Sequence, residues 1–190
     1  PAPVRRDREV TRHGTAQAAG YRSLHLCTGL FNAEMPEELV YETLNARSRS
    51  GVELTDEINK EERWVKTTFA EDMPPRIAVS RPHLGCTQLP IGATLDAAEN
   101  LAALPEGVEP PNLDRKAWPL GDKNAVRVPS RKVSAALSDV IDEALKDQDG
   151  RYKGDSWGFV IVQDGKIIAE KYAPGYGKHI SARTKSMCKS

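Results

Sequence analysis

The sequence predicts an α/β protein of the α+β type, in which antiparallel hairpins carry helices packed on them. Three observations lead there. Asp164-Gly165 separates two apolar runs and is a strong two-residue hairpin signal, because both turn residues tolerate positive φ. Val133, Ala136, Leu137, Val140, Ile141, Ala144 and Leu145 recur at helical spacing. Two runs rich in β-branched and aromatic residues, Glu62 to Ala70 and Arg76 to Arg81, flank the turn Met73-Pro74-Pro75.

The totals set bounds. A chain of 190 residues can bury a real core, or hold a small module and part of a second. Lys+Arg and Asp+Glu both total 27, so no net charge points to nucleic acid or to an anionic membrane surface. The 13 prolines and 14 glycines suit a loop-rich globular protein. No apolar run approaches the ~20 residues of a membrane helix, so no membrane span is expected. The start, Pro-Ala-Pro-Val-Arg-Arg, has no apolar signal core, as for a chain without a signal peptide or one that has lost it.

Taken in order, residues 1–23 read as a flexible polar arm, with His13 a solvated side chain. Residues 24–128 read as an extension module ending in a long connection. Leu24 to Phe31 is an apolar stretch, a strand or a buried turn, and His25 within it is a satisfied structural histidine. Pro36 opens a helix to about Ala46, with Glu37 and Glu38 at the positive end of its dipole. The two strands around Met73-Pro74-Pro75 follow as a hairpin. Residues 90–130 are proline-rich and read as a wrapping connection, anchored by the indole of Trp118.

Residues 129–190 read as the start of a second domain. Ser130 is the expected N-cap of the periodic helix, which Asp147 to Gly150 ends. Trp157 to Gln163 and Lys166 to Tyr172 are the arms of the Asp-Gly hairpin. Ala173 to Gly177 loops out, and Tyr176 and His179 are exposed loop residues or line a cleft mouth. Cys27, Cys86 and Cys188 match no zinc spacing. A Cys27–Cys86 disulfide and two buried free thiols are equally good readings of the first two.

Ser186-Met187-Cys188-Lys189 ends the pattern. Residues i and i+3 share one helical face, so a hydroxyl and an amine come within reach of each other. Alone the pair is weak: with eleven serines, about one chance match is expected, and one occurs. Its context is helix, strand, Asp-Gly turn, strand, glycine loop, and that order resembles the front of the serine β-lactamase and penicillin-binding-protein fold. Ser186 to Ser190 looks like the Ser-Met-Thr-Lys-Ser signature of its class C-like branch, with its esterases, D-aminopeptidases and 6-aminohexanoate-dimer hydrolases. Asp164 to Tyr172 resembles that branch's first hairpin. Leu26-Cys27-Thr28-Gly29, Arg81 to Thr87 and Trp118-Pro119-Leu120-Gly121-Asp122 resemble the N-terminal extension of many bacterial members.

The resemblance implies a β-lactamase-like antiparallel sheet flanked by helices. Its chemistry is hydrolysis of an amide or ester, peptide-like or small, without metal or organic cofactor. Ser186 would form the acyl-enzyme and Lys189 would act as general base. A periplasmic or secreted location is expected, with the cytoplasm as the alternative. The family also uses a Tyr-x-Asn motif and a His- or Lys-x-Gly strand after the nucleophile. No Tyr-x-Asn occurs, and His83-Leu84-Gly85 precedes Ser186 and is a decoy. The chain therefore reads as the front of the fold, inactive alone. Its expected partner is the remaining C-terminal part or a second chain carrying it. The competing reading is a non-catalytic secreted interaction module whose Ser-x-x-Lys is accidental, with Arg183, Lys185 and Lys189 a basic tail. Cys188 as a reactive thiol is a further alternative, one no histidine at a known spacing supports.

Overall fold

Ala19, Ser23, Leu26 and Cys27 fall at positions i, i+4, i+7 and i+8, one narrow face of a helix. All four are fully buried. They lie in a helix, α1 (Pro3–Cys27), in a computed structural model that describes residues 3–45, 53–128, 132–147, 150–152, 156–181 and 189. The supposed arm is thus helical, and the structure corrects that expectation. Its buried face is built of small residues, so the helix backbone comes close to the sheet beneath: Arg76 donates to Ala16 O at 3.3 Å, and Gln88 Nε2 donates to Gly20 O. Leu24 to Phe31 is likewise neither strand nor turn. It completes α1 and enters a π-helical turn, Thr28–Asn32, in which Ala33 N donates to Thr28 O at 2.9 Å.

The chain divides into two compact units, Pro1–Val108 and Glu109–Ser190. The first is α+β. Its second helix, α2 (Glu37–Asn45), has Glu37 and Glu38 in its first turn and buries Val40 and Leu44. Four strands, β1 (Thr55–Asn59), β2 (Trp64–Thr68), β3 (Arg76–Arg81) and β4 (Gly85–Gln88), make an antiparallel meander in chain order. The β2–β3 hairpin is as expected, with Val65 opposite Ala78 and Trp64 opposite Val79. The two outer strands are additions to the sequence reading.

Alternation sends the strand residues to two cores. Val65 and Ala78 join Leu26, Cys27, Val40 and Leu44 under the helices. Trp64, Ile77, Val79 and Leu89 pack on the other face, against the 3-10 turn Leu95–Asn100 and its neighbours. A disulfide joins Cys27 at the end of α1 to Cys86 in β4, with Cα atoms 6.1 Å apart. Gly29 is required where it stands: a Cβ there would lie 2.7 Å from Val40 Cγ2. His25 is buried and structural, as expected. Thr43 Oγ1 gives its proton to Val40 O at 2.8 Å, so at 3.0 Å it is the acceptor and His25 Nε2 the donor.

In the second unit, helix α3 (Ala135–Lys146) starts later than expected. Ser134 caps it by accepting from Leu137 N at 3.2 Å; the expected cap Ser130 lies outside the described residues. Ile141 and Ala144 are buried, whereas Ala136 and Val140 of the apolar repeat face outward. Strands β5 (Gly158–Gln163) and β6 (Lys166–Tyr172) pair through Asp164-Gly165, with φ of 50° and 71°, as the turn signal required. Residues 126–128 add a short parallel edge to β6: Val128 N donates to Ile167 O at 2.8 Å and Ile167 N to Val126 O at 2.9 Å. The connection before them is irregular, as expected, apart from short 3-10 turns.

Candidate functional site

The polar contacts of the second unit gather on the hairpin, α3 and the 113–128 segment. Lys171 of β6 reaches α3. Its Nζ lies 2.8 Å from Ser138 Oγ, and 2.9 and 2.8 Å from the two carboxylate oxygens of Asp142. A serine and a lysine in contact have the look of a catalytic dyad. Here Nζ lies against one hydroxyl and two carboxylate oxygens at once, the contacts of an ion pair rather than of a base poised on a serine alone. The pair ties the sheet to the helix. Beside it is a cavity of about 310 Å³, walled by Val128, Val133, Ile141, Ile167, Ile168 and Ala169, with Arg127, Ser138, Glu170 and Lys171 also lining it.

On β6 a second chain of polar contacts begins. Tyr172 OH donates to Glu170 Oε1 at 2.7 Å, and Arg127 Nε donates to Glu170 Oε2 at 3.0 Å. Arg127 also donates to Asp122 Oδ1 at 2.7 Å, and Lys178 donates to Asp122 Oδ2 at 3.0 Å. The phenol of Tyr172 is pushed up to about 12, first by burial and then by its hydrogen bond to Glu170. The Tyr172 hydroxyl and the Arg127 guanidinium hold the Glu170 carboxyl below its usual range. Hydrogen bonds from Arg127 and Lys178 do the same for Asp122.

The Trp118-Pro119-Leu120-Gly121-Asp122 motif is the other half of this arrangement. Its indole is only half-buried, and what holds it is a hydrogen bond rather than the expected burial: Trp118 Nε1 donates to Gly165 O at the hairpin turn, 2.9 Å away. The Trp118–Pro119 bond is cis. Gly121 admits no side chain, since a Cβ would collide with the backbone oxygens of Leu113 and Lys116. After β6, Tyr176 stacks on Trp157 with centroids 5.3 Å apart and planes 9° apart. It is half-buried rather than an exposed loop residue, while His179 is exposed.

Of the predicted catalytic pair, Ser186 lies outside the described residues, as does Cys188; Lys189 is described and exposed. His83-Leu84-Gly85 belongs to the first unit, at the turn between β3 and β4, where His83 and Gly85 take positive φ. Arg127, Asp142 and Lys178 meet Glu170, Lys171 and Asp122 only through the fold, since these partners lie 43, 29 and 56 positions away. Among the described residues, no group of three or more His, Cys, Asp or Glu could hold a metal ion, and no helix is long and apolar enough to cross a membrane. Compared with known proteins, the chain matches no family model, no curated protein and no solved structure.

Proposed function

We propose that the chain carries the nucleophile of a β-lactamase-like serine hydrolase acting on an amide or ester. The observation that carries this reading is the order of parts: α3, then the β5–β6 hairpin turning at Asp164-Gly165, then a loop, then Ser186 and Lys189 three apart. Ser186 Oγ attacks the substrate carbonyl while its proton passes to Lys189, and the tetrahedral species collapses to an acyl-enzyme with loss of the amine or alcohol. Backbone N–H donors would steady the oxyanion. Lys189 hands that proton to the departing amine or alcohol, then takes one from the attacking water and returns it to Ser186 Oγ as the acid leaves. The tyrosine and the basic strand that this chemistry calls for come from further residues of the fold or from a second chain.

The Cys27–Cys86 disulfide supports an oxidising compartment, periplasmic or extracellular, for the protein. Turnover of a chromogenic short-chain ester by the protein isolated from its source tests the reaction. Ser186→Ala should abolish it, and Lys189→Ala should slow it by about a hundredfold or more, the scale of a lost general base. Full turnover in both variants would end the proposal.

A further inference from the structure

We infer that the cavity between α3 and β6 binds a small aliphatic carboxylate. No residue of the proposed catalytic pair lines it, and the proposed reaction assigns it nothing, so this site stands apart from the hydrolase reading.

The cavity measures about 310 Å³, at the lower end of the range of small-molecule sites. Its apolar walls come from three places: Val128 at the short sheet edge, Val133 and Ile141 at α3, and Ile167, Ile168 and Ala169 of β6. All six are aliphatic, and Ile141, Ile167 and Ala169 are buried. Water standing against such walls finds no hydrogen-bond partner, whereas a hydrocarbon chain needs none there. The walls therefore select an aliphatic body.

The remaining lining is polar: Arg127, Ser138, Glu170 and Lys171. The side chains of Lys171 and Arg127 are 36% and 38% exposed, so the charged end is the one that meets solvent. At this end the acceptors are engaged and the donors are not used up. Each oxygen of Glu170 already accepts a hydrogen bond, one from Tyr172 and one from Arg127. Ser138 Oγ accepts from Lys171 Nζ at 2.8 Å, which leaves the hydroxyl hydrogen for another acceptor. Arg127 gives one N–H to Glu170 and one to Asp122, and a guanidinium has further N–H groups to give. A ligand here must bring an acceptor, and beside two cations a carboxylate makes the strongest such bonds. An ammonium head would add donors where donors are already in excess.

The test is calorimetric titration of the full protein with octanoate and with octylammonium, which share a chain and differ in the head. Octanoate should saturate a single site, and octylammonium should bind at least about tenfold more weakly. Ser138→Ala should weaken octanoate by about tenfold, the scale of one lost hydrogen bond to a charged group. Val133→Trp fills the cavity from a half-buried position ahead of α3 and should abolish octanoate binding with the circular dichroism unchanged. Methyl resonances of Ile141, Ile167 and Ile168 should shift on titration. No saturation by about 10 mM, the weak limit for a ligand of this size, would overturn the inference. So would octylammonium binding as tightly as octanoate, Ser138→Ala binding octanoate at the wild-type affinity, or isoleucine methyls that do not move.

Discussion

Asp56 carries more of the first unit's order than its place on an edge strand suggests. Nε and a terminal nitrogen of Arg22 both lie 2.7 Å from Asp56 Oδ2, and Thr67 Oγ1 donates to Oδ1 at 2.8 Å. Tyr41 OH adds a longer contact of 3.4 Å, and burial, followed by the Asp56 charge, raises its phenol. The Asp56 side chain is only 6% exposed and that of Arg22 17%, so this pair is not a surface bridge. Removing one member strands the other. Asp56→Ala should destabilise the first unit by about 3–5 kcal/mol, the usual range for an orphaned buried charge. A shift in the urea midpoint equivalent to less than about 1 kcal/mol would show that solvent already screens the pair. None of this was legible in sequence, where Arg22 and Asp56 are ordinary polar letters 34 positions apart. Ser186 and Lys189, by contrast, are proposed from spacing and context alone.

Legibility followed the kind of signal each element carries. The β5–β6 hairpin, β2, β3, α2 and α3 announce themselves through alternation, helical period or turn chemistry. Helix α1 does not, because its buried stripe is Ala19, Ser23 and Cys27 as well as Leu26, small side chains that signal close approach to a sheet rather than bulk hydrophobicity. β1 reads Thr-Asp-Glu-Ile-Asn, a poor strand by propensity, and forms because β2 offers it a ladder from Thr55–Thr68 to Asn59–Trp64. β4 has only four residues and begins on a glycine. The return strand β6 carries a prediction of its own. The folded-state phenol of Tyr172 lies at about 12, above its ordinary value of 10.0. The raised value means that the folded state favours the neutral phenol. Its stabilisation is whole below pH 10 and is lost as pH rises toward 12. Ultraviolet titration of the native protein should show a late-ionising tyrosine that Tyr172→Phe deletes. Glu170, shifted the opposite way, gives stability that is present above the ordinary carboxylate pKa and lost as pH falls through its lowered one. A Tyr172 phenol ionising near pH 10 would contradict the hydrogen bond that links it to Glu170.

For the molecule, the disulfide is the constraint with the widest reach. Cys27 and Cys86 close a loop with a sequence separation of 59, and a cross-link of that span contributes ~4 kcal/mol in the chain-entropy view. Cys27→Ser with Cys86→Ser should lower the stability of the first unit by about that much, and mild reduction should do likewise. The α+β class was legible, as were both hairpins; the pairing of Cys27 with Cys86 was one of two equal readings until α1 and β4 were seen side by side. The hydrolase reading stands on the order of α3, hairpin and Ser-x-x-Lys. The most direct test is intact-mass measurement of the natural protein after exposure to a fluorophosphonate or β-lactam probe, followed by peptide mapping. One adduct per chain, on Ser186 and absent from Ser186→Ala, is the result expected. No adduct, or one that survives Ser186→Ala, would contradict the assignment of Ser186 as the nucleophile.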